Sequence, residues 1–325
     1  MIIKQNATYH KLDVYDYIIY IDKKNAKGIF TPYYKGSLNS FLYDFKLEIC
    51  RTLHKDAKTY SIIDLSLDGK FLMTISVTNN NSQNNVFRIV EIGTNKIMLE
   101  ISNMYVYDAA FTSNPRYIFI SAKEFNIIKI FVYDIELKKI VLSLKENFFI
   151  KSGCFNEDRS IYIYPSENEN RGVINYLNFN TLYKTKEIIE HKISKIFYIG
   201  RKGLLLYNYL YIYLYKSNKI IWEVNLESFI DNYKGDFFYM ESDNKIYLDY
   251  PMVVQEKISK VNDNNIMFLY RIETELGNTE YIQLPNNIKY KKFTPMSDYK
   301  IIDTAGNISD LRNKTTSNFP LNIYR

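Results

Sequence analysis

A polar turn leading into an apolar run recurs along this chain at intervals of about 46 residues, and that repeat limits its fold more than any other feature. The turn reads Asp68-Gly69-Lys70-Phe71-Leu72-Met73, then Asn114-Pro115-Arg116-Tyr117-Ile118-Phe119, then Glu157-Asp158-Arg159-Ser160-Ile161-Tyr162. Gly200-Arg201-Lys202-Gly203-Leu204-Leu205, Asp243-Asn244-Lys245-Ile246-Tyr247 and Ser297-Asp298-Tyr299-Lys300-Ile301-Ile302 continue it, and Asp16-Tyr17-Ile18-Ile19 opens it. Aligned on Ile18, Leu72, Ile118, Ile161, Leu204, Ile246 and Ile301, the spacings are 54, 46, 43, 43, 42 and 55. Seven such units account for all 325 residues. A fixed period of this size marks an architecture of stacked supersecondary units, none of which buries its apolar faces alone.

Each unit has a β texture. Short runs of Ile, Tyr, Phe and Val are separated by Asn, Asp, Gly and Ser, which accept positive φ or bond their own backbone in turns. Leu67, Phe111 and Phe155, spaced by 44, mark a strand before the turn. Tyr43-Asp44 and Tyr133-Asp134, 90 residues apart, end a strand after it. Each unit thus has room for four short antiparallel strands. Runs such as Tyr117-Ile118-Phe119-Ile120 do not alternate with polar residues, as expected of strands buried on both faces. The 31 tyrosines suit such packing, with rings between sheets and hydroxyls reaching solvent. Helical periodicity is nearly absent; only Leu226 to Tyr233 has the pattern for one or two helical turns.

These residues resemble the blades of WD-repeat and related β-propellers. Leu65-Ser66-Leu67-Asp68-Gly69-Lys70-Phe71-Leu72 is similar to the inner strand and Asp-Gly turn of such a blade, and Phe293-Thr294-Pro295-Met296-Ser297-Asp298 to a degraded copy. Tyr133-Asp134 stands where those blades carry Trp-Asp. The Gly-His dipeptide is missing, and the single Trp, Trp222, lies in a later strand. The resemblance implies an all-β, single-domain propeller over residues 1–325, of seven four-stranded blades, with six or eight as alternatives. Ile2-Ile3 and Leu321-Asn322-Ile323-Tyr324 fall outside the complete repeats and are expected to close the ring as strands from both termini.

The bulk properties narrow the function. A net charge of +6, with 42 basic and 36 acidic residues interspersed, lacks the blocks of like charge that mark a nucleic-acid tail. Lys289-Tyr290-Lys291-Lys292, Arg201-Lys202 and Lys138-Lys139 read as solvated loops, so a nucleic-acid partner is not expected. The N-terminal residues lack the apolar core of a signal peptide, and the most apolar stretch, Leu204 to Tyr215, is too short to span a bilayer, so a soluble intracellular chain without membrane insertion is expected. Cys50 and Cys154, 104 residues apart, form no disulfide framework or Cys-x-x-Cys motif.

No phosphate-cradling, nucleophile-elbow or zincin motif occurs, so no catalytic residue, cofactor or metal is assigned. His10, His54 and His191 are far apart, and the latter two precede inner strands, where a structural role is expected. The polar stretch from Thr78 to Asn85 reads as a hairpin tip. Asp64 and Asp108 stand out because they occupy equivalent positions 44 residues apart among apolar neighbours. Such a carboxylate must find a donor or solvent. Two readings follow: a ligand or cation site at the mouth of a central channel, or hydrogen bonds to the neighbouring blade. The function expected is a non-enzymatic scaffold binding another protein through loop-rich faces, the alternative being an enzyme or small-ligand binder that uses Asp64 and Asp108.

Overall fold

A computed structural model of the chain describes residues 17–22, 27–32, 41–44, 49–52, 60–66, 68–76, 85–92, 94, 96–102, 104–124, 127–145, 153–168, 171–208, 210–226, 237–240, 243–248, 268–283, 293–297, 299–303, 307–313 and 315–318. Among these residues 28 strands form seven four-stranded antiparallel sheets, each made of four consecutive strands. Blade 1 holds β1 (Tyr17–Asp22), β2 (Lys27–Pro32), β3 (Phe41–Asp44) and β4 (Ile49–Thr52). Blade 2 holds β5 (Tyr60–Leu65), β6 (Phe71–Ser76), β7 (Val86–Glu91) and β8 (Ile97–Ile101). Blade 3 runs through β9 (Tyr105–Phe111), β10 (Tyr117–Glu124), β11 (Ile127–Asp134) and β12 (Lys139–Lys145). Blade 4 comprises β13 (Cys154–Phe155), β14 (Ile161–Asn168), β15 (Arg171–Asn178) and β16 (Tyr183–Ile189). Blade 5 comprises β17 (Lys195–Tyr198), β18 (Leu204–Tyr207), β19 (Tyr211–Lys216) and β20 (Lys219–Asn225). Blade 6 contains β21 (Phe237–Met240), β22 (Lys245–Leu248), β23 (Phe268–Glu273) and β24 (Thr279–Gln283). Blade 7 contains β25 (Phe293–Ser297), β26 (Lys300–Asp303), β27 (Asn307–Asp310) and β28 (Thr315–Asn318).

Leu72, Ile118, Ile161, Leu204, Ile246 and Ile301 all fall in the second strand of their blade. Ile18 does not: it lies in β1, the first strand of blade 1, and the matching second strand is β2. Placing Ile29 of β2 in register shortens the first spacing from 54 to 43, in line with the next four. The long last spacing has a local source, since residues 249–267 separate β22 from β23 in blade 6. The segments expected to close the ring, Ile2-Ile3 and Leu321 to Tyr324, lie outside the described residues. So do nearly all of the expected helical segment from Leu226 to Tyr233 and residues 289–292.

The chain divides into two compact units, residues 59–233 and residues 1–58 with 234–325. In the first, blades 2 to 5 stack in order, and successive side chains of one strand enter different cores. From β10, Ile118, Ile120 and Ala122 pack with Met73, Phe87 and Ile89 of blade 2. Phe119, between them, packs with Tyr162, Tyr164, Leu177 and Phe179 of blade 4. From β11, Phe131 and Tyr133 join the first core, and Ile130 and Val132 the second. On the far side of blade 4, Ile163 and Ile174 meet Ile196, Leu204 and Leu206 of blade 5. Side chains of a strand alternate between its two faces, so a sheet sandwiched between two others requires an uninterrupted apolar run. In the second unit, Met240, Tyr247 and Leu269 of blade 6 pack with Ile301 of blade 7, and β1 of blade 1 lies beside β25 of blade 7.

The tyrosines depart from the expectation that their hydroxyls reach solvent. Tyr164, Tyr247 and Tyr270 are among the largest fully buried side chains. Burial is affordable where a polar group answers the hydroxyl, as when Tyr247 donates to Asp243.

Candidate functional site

The turn before each second strand is built the same way in blades 2 and 4. In blade 2 the Ser66 and Phe71 backbones pair, the Gly69 amide donates to the Ser66 carbonyl, and Gly69 takes φ 71°. In blade 4 Asn156 pairs with Ile161, the Arg159 amide donates to the Asn156 carbonyl, and Arg159 takes φ 60°. Asp68 and Asp158 each accept from the residue two positions on, at 3.1 and 2.9 Å. Arg159 therefore occupies the left-handed position that Gly69 fills in blade 2. A non-glycine residue there costs on the order of 1 kcal/mol, so something must hold it.

What holds it is Asp64. Arg159 Nη1 lies 2.6 Å from Asp64 Oδ2, which also accepts the Phe111 backbone amide at 2.8 Å. The Arg159 carbonyl accepts from the Ser113 amide at 3.0 Å. One carboxylate in blade 2 thereby ties the first strand of blade 3 to a turn of blade 4. Asp64 is 4% exposed, and at that burial a carboxylate needs such partners.

Asp108 holds the matching place. Each follows a β-bulge, at Ile63 in β5 and at Tyr107 in β9. The extra residue turns the next side chain out of the regular pleat. Asp108 is half-buried and accepts its neighbour Ala109's amide at 3.0 Å. Burial first, and the Asp108 charge second, hold the Tyr162 hydroxyl well above the ordinary tyrosine range. Asp64 thus bonds across blades, whereas the Asp108 bond to Ala109 stays within its own strand.

Other sequence expectations resolve at the residue level. Asp134 is fully buried and accepts from Arg116 Nε at 2.6 Å and the Leu137 amide at 2.9 Å. These bonds hold its carboxyl below the usual range against the opposing effect of burial. Asn178 and Asp310 end the third strands of blades 4 and 7 and cap the following turns in the same way. The aromatic-Asp rule missed both, since Leu177 and Ser309 precede them. Asn85 is not part of a hairpin tip: it is 2% exposed, and its amide pairs with both backbone groups of Val106, at 2.6 and 2.9 Å. His191 is half-buried with its ring 4.8 Å from that of Tyr213. Desolvation pushes the Cys154 thiol up to about 12, far from a reactive thiolate. Among the described residues no group of three or more His, Cys, Asp or Glu could hold a metal, and no helix is long and apolar enough to cross a membrane.

A cavity that gathers polar groups lies between the outer strand of blade 4 and the β19–β20 hairpin of blade 5. Its volume is about 390 Å³, and Glu187, Glu190, His191, Tyr215 and Asn218 bring polar atoms to its wall. Asn218 sits in a two-residue hairpin turn in which Ser217 and Asn218 have φ 50° and 61°, the mirror-image turn that suits strand twist. Gly172 brings the strands close, since a Cβ there would lie 2.2 Å from the His191 carbonyl oxygen. Glu187 Oε2 accepts from Tyr176 at 2.9 Å and Tyr215 at 3.1 Å. Burial, then the Glu187 charge, push the Tyr215 hydroxyl up to about 12 and Tyr176 higher still, so both remain donors. Sequence reasoning passed over this cavity because its residues come from two blades and carry no motif.

No protein-family model matches the chain, and no curated protein does. Solved structures do. The chain superposes on Hsv2 of Kluyveromyces lactis with a TM-score of 0.60 at 10% identity, over 93% of this chain and 97% of that one. The Cps50 (Swd1) β-propeller domain of Myceliophteria thermophila gives 0.56 at 11% identity, over 96% and 98%. The β-propeller domain of the Trilobed protease from Pyrococcus furiosus, described as having an open velcro topology, gives 0.53 at 13% identity, over 90% and 91%. This chain is a β-propeller. Its blades are the degenerate, WD-repeat-like blades that the turn motifs resemble, and identities this low carry the fold alone.

Proposed function

We propose that this propeller is a non-enzymatic interaction scaffold whose binding surface is the outer rim of blades 2 to 5. The observation that carries the proposal is where the exposed large apolar side chains lie. Among the described residues no exposed large apolar side chain falls in a first strand of blades 2 to 5, whereas the fourth strands present Ile97 and Met98 in β8, Ile140 in β12, Tyr183 and Ile188 in β16, and Ile221 in β20; Ile127 in β11 and Leu137 and Leu210 in turns are the others in these blades. Ile188 and Ile221 are 52% and 51% exposed. Exposed apolar residues recurring on neighbouring edges favour a macromolecular partner. Charged residues on the same strands, among them Lys184, Lys186 and Glu223, discourage indiscriminate edge pairing.

The test is affinity capture with the whole chain, paired with the Ile188→Lys and Ile221→Lys variants. One stoichiometric partner retained by the parent and lost from both variants is expected. Equal retention by all three contradicts the rim. A melting shift with a metal or sugar that Asp64→Asn abolishes, with no partner captured, overturns the scaffold reading in favour of a small-ligand site at Asp64 and Asp108.

A further inference from the structure

We infer that the cavity between β16 and the β19–β20 hairpin receives an arginine side chain from the protein partner, an inference that rests on the scaffold reading above. Three observations lead there.

The first is charge. The chain as a whole is basic, at +6, yet among the described residues this cavity is lined by two carboxylates, Glu187 and Glu190, and by no Lys or Arg. A cation is the complementary occupant.

The second is preorganisation. Two tyrosine hydroxyls donate to the same oxygen of Glu187, from Tyr176 in blade 4 and Tyr215 in blade 5. Tyr215 is 6% exposed and therefore fixed by packing. The carboxylate is thus oriented before any ligand arrives, with both tyrosine hydrogen bonds on Oε2. A mobile surface glutamate loses side-chain entropy on pairing, whereas this one has already lost it.

The third is shape. Ile188, Ile189 and Ile220 complete the wall. An apolar wall beside a fixed carboxylate suits a side chain with an aliphatic stem and a cationic head. Arginine fits better than lysine, because its planar fork offers two parallel hydrogen bonds to a carboxylate, and Glu190 and Asn218 bring further acceptors to the same wall. The cavity adjoins the exposed Ile188, so a partner seated on the rim would place such a side chain here.

The three isoleucines supply the readout. The whole chain, methyl-labelled at isoleucine, is titrated with N-acetyl-arginine amide and, in parallel, with N-acetyl-citrulline amide, its neutral isostere. Saturable shifts centred on Ile188, Ile189 and Ile220 are expected with the arginine compound, at least tenfold weaker with citrulline. Glu187→Gln keeps an acceptor oxygen for the tyrosines and should abolish the response while leaving the spectrum folded. Glu190→Gln should weaken it, and serves if the Glu187 variant fails to fold. Absence of shifts, equal shifts with citrulline, or a response that survives Glu187→Gln overturns the inference. If the rim still captures its partner in that event, only the arginine pocket falls. If arginine binds and no partner is captured, the scaffold reading fails instead.

Discussion

Asp64 and Arg159 show how one residue's conformation can depend on another 95 positions away. The turn requires a left-handed residue, as Gly69 provides in blade 2, and blade 4 has Arg159 there instead. Two single substitutions should therefore differ. Asp64→Ala removes the carboxylate beside an arginine side chain only 20% exposed and leaves the strained φ unchanged, and should cost about 3 kcal/mol. Arg159→Gly also loses the pair but relieves the backbone, and should cost less by roughly 1 kcal/mol. Chemical denaturation of both variants and the double variant checks this, and additive losses would mean that the pair is not coupled. Asp64 could be picked out of the sequence as a carboxylate needing a donor, but its partner could not. Arginine in a turn reads as solvated, and nothing local signals positive φ.

Within single blades, the sheets explain which parts of the repeat were legible. The second strands announced themselves because blades on both sides demand an unbroken apolar run, as in Ile118 to Ile120. The Ile18 alignment failed because a first strand following a polar residue looks like a second strand after a turn. The caps at Asn178 and Asp310 escaped notice because no aromatic residue precedes them, and only the bonded amides distinguish a cap from a loop residue. Packing sets one prediction here. Phe119 is fully buried against Phe155, Tyr162 and Phe179, so Phe119→Ala should cost about 3–5 kcal/mol by denaturant unfolding. Tyr183→Ala, at 67% exposure on an outer strand, should cost little.

Blade 6 yields a pH prediction. Its Glu280 is held at about 2, chiefly by Arg271, with Lys245 adding to that pull and burial opposing it. A folded pKa below the unfolded value near 4.5 adds stability that is complete above about 4.5 and lost as pH falls toward 2. The melting temperature of Glu280→Gln should therefore converge on the parent's as pH drops through that window, and a constant difference would exclude the linkage.

At the scale of the whole molecule, the four sheets of residues 59–233 share cores with their neighbours and leave the fourth strands as surfaces that carry exposed apolar side chains. Repetition made this fold legible where no family signature survives. The candidate site was not legible, because Glu187 and Tyr215 are brought together by the stacking of two blades and not by any spacing within one. The central claim is that the rim, and not the turns, is where this propeller meets its partner. Hydrogen–deuterium exchange of the chain alone and with its captured partner tests it most directly. Slowed exchange in residues 183–189 and 219–225 is the predicted result; slowing confined to the turns at 66–71, 112–117 and 156–161 would contradict it.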